Sequence, residues 1–231
     1  MKRSFLLIIL VFLCGMFFTT CGSLERVERE KFTVNLNSPR IPVGEIELQF
    51  DRFMSMRGLR KDKVTVLYFP REDAVCLQYR HEYITYHQFW SRRGRFEFIT
   101  ALEKYITDYE ERTLDRKDKR SKRHYSTFNG YLIWQMYSFT VQARANVNME
   151  LGYVFKDNAP YFTVNQRQAE FKEEHARDSN RTSPAVTMYF TRAQAAQLAE
   201  FFDQEFLQSL TQTDLSPKES EQESAVDRDE Y

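Results

Sequence analysis

The chain has 231 residues, with 33 Lys and Arg against 33 Asp and Glu, and 15% of its side chains are aromatic. Zero formal net charge excludes a global field that would draw the molecule onto nucleic acid. Seven glycines and six prolines exclude a flexible stalk, and three cysteines exclude a disulfide framework, so an aromatic-rich globular body stabilised by packing remains.

Lys2 and Arg3 open the chain, and residues 5–18 (FLLIILVFLCGMFF) follow without a charged side chain. This run of 14 residues suits the core of a secretory signal; a membrane-spanning helix needs about 20. Residues 24–31 (LERVEREK) are densely charged, so the apolar run stops abruptly. Residues 1–20 are therefore expected to be an export signal. Without them 31 basic and 33 acidic side chains remain, a balance near −2. Cys14 lies inside the signal. Of the other two cysteines, Cys76 is expected to be a small buried hydrophobe on a strand.

The charged start, the short apolar core and the junction FFTTCGS (residues 17–23) together resemble the lipobox of bacterial lipoproteins. Phe18 and Thr20 stand where that family carries an aliphatic residue and Gly, Ala or Ser. The resemblance implies cleavage before Cys21, a diacylglycerol on its thiol and a fatty acid such as palmitate on its amine. It implies a cell-envelope protein held on the membrane through lipid. Gly22, rather than Asp, after the cysteine implies an outer in preference to an inner membrane. Each buried CH₂ contributes about 0.8 kcal/mol, so two or three acyl chains hold firmly where one holds marginally.

Residues 21–44 read as a lipid-anchored spacer, with a weak edge strand at 32–36. In residues 45–50 Ile46, Leu48 and Phe50 alternate with polar neighbours, which predicts a half-buried strand. Residues 63–69 (KVTVLYF) and 74–79 (AVCLQY), separated by Pro70 and a charged turn, predict a hairpin. Thr85 reads as a helix N-cap. Phe89, Trp90, Phe96, Ile99, Leu102, Tyr105, Ile106 and Tyr109 follow at mostly helical steps, with Gly94 as a weak point.

A second set of strands is predicted at residues 125–137 (with a bulge at Gly130), 147–155, 161–164 and 185–190, with residues 156–160 (KDNAP) as a turn. Thr191 is expected to cap a closing helix whose stripe is Ala195, Leu198, Phe202, Phe206 and Leu210. Residues 211–231 carry seven acidic side chains against Lys218 and Arg228 and are expected to be a disordered tail. The expected fold class is α+β: one α+β domain over residues 45–210, an antiparallel sheet with two packed helices. Its possible halves, 45–114 and 124–210, would be a duplicated strands-then-helix unit. The element order is similar to that of tandem four-strands-plus-helix modules of the Pur-alpha and Whirly type, in order alone. A lipocalin-like barrel is the alternative, against which the long mid-chain helix counts.

Chemistry-bearing motifs are scarce. His81 and His87 flank Glu82 in a stretch that starts like a zinc-protease helix, but such a site needs histidines four apart, and residue 85 is Thr. Both are expected to be partly exposed surface residues, and no metal or cofactor is expected. There is no G-x-S-x-G elbow and no phosphate-cradling glycine loop.

The strongest charge feature is residues 112–123 (RTLDRKDKRSKR), with seven basic and two acidic side chains. Arg116, Lys117, Lys119, Arg120, Lys122 and Arg123 are its candidate contacts for an anionic ligand. The plain alternative is a solvated connector between the halves. The expected function is a lipid-anchored envelope protein with a binding or structural role, its partners the membrane and an envelope protein or anionic ligand, with no nucleic acid expected. The alternatives are an envelope enzyme of unknown reaction and a binder of anionic polymer through residues 112–123.

Overall fold

The computed structural model describes residues 32–51, 58–120, 122–136, 142–171 and 182–214. The expected signal, the anchor at Cys21 and tail residues 215–231 lie outside the described residues. Four strands come first: β1 (Ile41–Asp51), β2 (Leu59–Phe69), β3 (Ala74–His81) and β4 (Ile84–Ser91). Helix α1 (Arg92–Glu110) follows, then β5 (His124–Met136), β6 (Ala143–Lys156) and β7 (Ala159–Gln166). After the short strands β8 (Ala169–Glu170) and β9 (Thr182–Ser183) come β10 (Val186–Phe190), α2 (Arg192–Phe202) and α3 (Gln204–Asp214).

Every neighbouring strand pair is antiparallel, and the strands close into one barrel in the order β1-β10-β7-β6-β5-β4-β3-β2; β8 and β9 form a separate two-stranded sheet. The α+β class with an antiparallel sheet thus stands. The two expected halves are each four barrel strands followed by helix, but they share one closed sheet and one core. The mid-chain helix does not prevent closure, because β4 and β5 remain hydrogen-bonded neighbours on either side of α1.

Eight strands leave an interior that side chains can just fill. Leu48 and Phe50, Val64 and Val66, Leu77 and Tyr79, Leu132 and Trp134, Met149 and Leu151, and Met188 and Phe190 all point into a single cluster. Phe98, Ala101, Leu102 and Tyr105 of α1 and Ala195, Leu198 and Phe202 of α2 complete it. Phe98 meets Phe162, Phe190 and Phe202 edge-on at 5.4, 6.0 and 5.1 Å, so both helices pack at the end where β4 and β10 finish. Edge-to-face contact is the favoured geometry for such rings.

Several expectations about the elements are corrected. Residues 84–91 are strand β4, not the start of the helix: Ser91 is the N-cap, its hydroxyl accepting from the Gly94 amide. Phe89 and Trp90, one residue apart, serve opposite faces, which period two allows and a helix does not. Residues 32–36 form no strand. They lie across the outer face, where Val34, Phe32 and Leu36 cover Leu67, Phe69, Cys76, Phe89, Tyr131 and Ile133. The closing helix is two helices, broken where Asp203 turns extended (ψ 130°), and α3 carries the chain helically through residues 211–214.

The remaining turns follow residue chemistry. Glu82 takes the left-handed region between β3 and β4, and Asp157 and Asn158 both do so between β6 and β7. That is the pattern of a two-residue hairpin matched to strand twist. The irregularity in β5 falls between His124 and Ser126, whereas Gly130 pairs regularly with Val147.

Candidate functional site

Inside the barrel a polar chain crosses the core. Gln88 and Gln166, both fully buried, meet at 3.0 Å through the Gln88 amide; Trp90 donates to the Gln88 carbonyl at 3.0 Å, and Tyr79 and Ser183 bond Gln166. This chain ties β4 to β7 across the barrel interior. No group of three or more His, Cys, Asp or Glu side chains among the described residues is placed to hold a metal ion.

His81 and His87 are on opposite faces of the sheet. His81 is buried, 8% exposed and stacked on Phe50 at 5.3 Å, in contrast to the expected surface position. Burial lowers its pKa against the opposing fields of Glu82, Asp62 and Asp51. His87 is half-buried on the outer face, its pKa lowered by burial and by Arg40. Cys76 is fully buried under the 32–36 segment, and desolvation raises its thiol pKa far out of the reactive range.

The basic connector folds down onto β6. The Tyr153 hydroxyl donates to Asp118 at 3.0 Å, the Tyr153 amide to the Arg123 carbonyl at 2.9 Å, and Lys122 pairs with Asp118 at 3.6 Å. Gly152 makes this close approach possible, because a Cβ there would sit 2.3 Å from the Arg123 carbonyl oxygen. Of the six candidate residues, only Arg120 and Arg123 are brought into one groove. It holds about 350 Å³ on the outer face of β6, β7 and β10, beside His124, Glu150, Asn165, Arg167 and Tyr189. Arg116 lies over the Phe155 ring instead, and Lys117 and Lys119 are exposed.

Within this groove Arg120 (2.9 Å) and Arg167 bond the two oxygens of Glu150. Burial alone would raise the Glu150 pKa, but these bonds overcome it and hold the carboxyl below its ordinary range. Glu150 thus occupies the place an anionic ligand would take, and Arg167 is a member that the connector's sequence did not reveal. The Nε of Arg123 is buried and has no hydrogen-bond partner among the described residues.

The residues match a known family. The chain belongs to the family described as "Uncharacterised Treponema protein", whose profile matches residues 24–209. A relative from Treponema pallidum (strain Nichols), described as "Uncharacterized protein", is 24% identical over 146 residues, covering 63% of this chain and 51% of the relative. The chain therefore spans about half the length of that curated relative. No solved structure matches. The matched residues 24–209 include the whole barrel, α1 and α2, and exclude the apolar run at 5–18.

A second, larger groove of about 1080 Å³ runs between the 33–40 segment and the outer face of β4, β5 and β6. His87, Tyr131, Ile133, Gln142 and Arg144 line the sheet side, and Asn35, Asn37, Ser38 and Arg40 line the other. Sequence patterning misses this groove, since its sides come from segments a hundred residues apart that read as a weak edge strand and ordinary strand polarity.

Proposed function

We propose that this protein is a lipid-anchored component of the bacterial cell envelope whose barrel binds ligands on its outer face. The observation that supports a binding role is where space is found. Buried side chains from all eight barrel strands pack into one cluster inside, while both grooves described above open on the outer surface between strands and the segments docked on them. The anchor rests on residues 17–23 and their resemblance to a lipobox. No helix among the described residues is long and apolar enough to cross a membrane.

Cys21→Ser in the full chain is expected to abolish palmitate labelling and move the protein out of the membrane fraction. Labelling that persists in this variant overturns the anchor. A second reading, an anionic-polymer surface along the connector, is favoured by the exposure of Arg116, Lys117 and Lys119. Replacing Arg116, Lys117, Lys119, Arg120, Lys122 and Arg123 by Gln is then expected to lower the salt needed to elute the protein from heparin. Elution at unchanged salt refutes that surface.

A further inference from the structure

Arg92, Arg93 and Phe96 open α1 on its solvent side. Phe96 is 67% exposed, more than Tyr83 and Phe206, the other large hydrophobic side chains at the surface of the described residues. Residues three and four apart are neighbours on a helix, so both arginines, themselves exposed, stand beside the Phe96 ring. Neither makes an ion pair among the described residues, and Arg71, exposed in the β2–β3 turn, makes none either.

This corner is firmly mounted. Arg95, buried between the exposed positions, bonds the Asp73 side chain at 2.8 Å and the Asp73 main-chain oxygen at 2.7 Å, which holds the β2–β3 turn and Arg71 against the start of α1. The neighbouring carboxylates are less exposed than the arginines. Asp73 is taken up by Arg95, Glu72 accepts from the Ser38 hydroxyl, and Glu97 is half-buried. The charge presented to solvent here is therefore mainly basic, with one aromatic ring standing out of it.

The chain that leads from the expected anchor arrives at the same corner. Phe32, where the described residues begin, packs edge-on against Tyr131 at 6.4 Å. Tyr131 pairs with Phe89, two residues before the Ser91 cap, so Phe32 sits about 7 Å along the strands from the level at which α1 begins. The eleven residue steps from Cys21 to Phe32 extend at most about 40 Å, which keeps the barrel close to any bilayer that holds the lipid. We infer that the corner formed by Arg71, Arg92, Arg93 and Phe96 docks on an anionic lipid surface, with the ring in the headgroup boundary and the guanidinium groups on lipid phosphates. One ring and three arginines hold a bilayer weakly, but a tether makes that second contact intramolecular. A second copy of the chain suits the corner less well, because a symmetric contact would set like charges against each other. The inference rests on the anchor at Cys21 and adds an orientation to it: α1 toward the membrane and the β3–β4 turn, at the other end of β3, away from it.

The test reconstitutes the lipidated full chain into vesicles of phosphatidylcholine and phosphatidylglycerol whose acyl chains are brominated, so that they quench indole fluorescence on contact. Flotation with the vesicles reports the anchor by itself. Trp90 and Trp134 are fully buried, so Phe96→Trp supplies an indole at the corner and Tyr83→Trp one in the β3–β4 turn as the control. Quenching in Phe96→Trp is expected to be at least twofold stronger than in Tyr83→Trp. It is expected to fall by at least half when Arg92→Gln and Arg93→Gln are added, and likewise in vesicles of phosphatidylcholine alone. A chain that floats but shows equal quenching at the two positions overturns the docking and leaves the anchor standing. Quenching that ignores both the arginine substitutions and the lipid charge overturns it as well. A chain that does not float refutes the anchor, and the docking with it. Emission of Phe96→Trp in detergent that shifts to the blue with rising protein concentration would show a second copy on this corner, which also overturns the proposal.

Discussion

Arg95 enters the fold almost completely, its side chain 2% exposed, with Nη2 2.8 Å from Asp73 and 2.6 Å from the Gln204 carbonyl oxygen, and Nη1 2.7 Å from the Asp73 main-chain oxygen. It ties the β2–β3 turn to the starts of α1 and α3. Asp73→Asn keeps a residue suited to the left-handed backbone there (φ 45°) but removes the counter-charge. The loss expected in chemical denaturation is about 2 kcal/mol, below the ~3–5 of a fully buried pair because Asp73 is itself partly solvated. An unchanged denaturation midpoint would mean that the neutral oxygens alone satisfy Arg95. In the sequence, Arg95 stands close to two other arginines, Arg92 and Arg93. Nothing local distinguishes it, since its burial depends on a turn 22 residues earlier and a helix 109 residues later.

The buried imidazoles make stability depend on pH with a definite sign. Burial first, and for His87 also Arg40, lowers both pKa values below 6.5, whereas the unfolded chain protonates near that value. Around His81 the fields of Glu82, Asp62 and Asp51 oppose the shift and Arg60 adds to it. Between the folded and unfolded values the unfolded state holds more protons, so stability is complete above about pH 6.5 and falls as the pH drops below it. Urea midpoints at pH 7 and pH 5 are expected to fall with acid in the native chain and to fall less in His81→Gln. Equal acid sensitivity in the two would show that His81 is not responsible.

At the scale of elements, local signals located the cap of α2 at Thr191 but misplaced that of α1, which is Ser91 and not Thr85. Thr191 caps α2 as expected and forms a capping box with Gln194, each side chain bonding the other's backbone, and the Gln194 amide also reaches the Glu47 carbonyl at 2.6 Å. That last bond binds the helix to β1. Phe201 lies against Gly44, where a Cβ would come within 2.7 Å of its ring, so α2 rests directly on the backbone of the first strand. The misreading of β4 has a physical cause. Ile84, Tyr86, Phe89 and Trp90 satisfy both a helical stripe and a strand with two buried faces, and only pairing with β3 and β5 decides between them.

For the whole molecule, closure is the feature with most consequence. Strand β1 pairs with β2 along its length but with β10 only at Gln49↔Tyr189 and Phe50↔Met188. The seam is supplemented by the Tyr189 hydroxyl and the Lys156 ammonium, both bonded to Asp51, and by α2 lying across it. Leu198→Ala, a fully buried truncation in α2, is expected to cost about 2–4 kcal/mol. It is also expected to speed amide exchange in β1 and β10 more than in β3 and β4. Uniform acceleration through all eight strands would show that the barrel opens only globally.

By itself the sequence determined most of the strands, the turn within residues 156–160, the cap at Thr191 and the α+β class. These depend on neighbours a few residues apart, and period, turn chemistry and capping are local physics. The tertiary structure alone decided that two sets of four strands close into one barrel, that Arg95 and His81 are interior, and that the connector's arginines meet Glu150. It also decided that residues 33–40 wall a groove with Arg144. Each of these joins segments far apart in the chain, where the contact energy comes from a partner that local pattern does not contain.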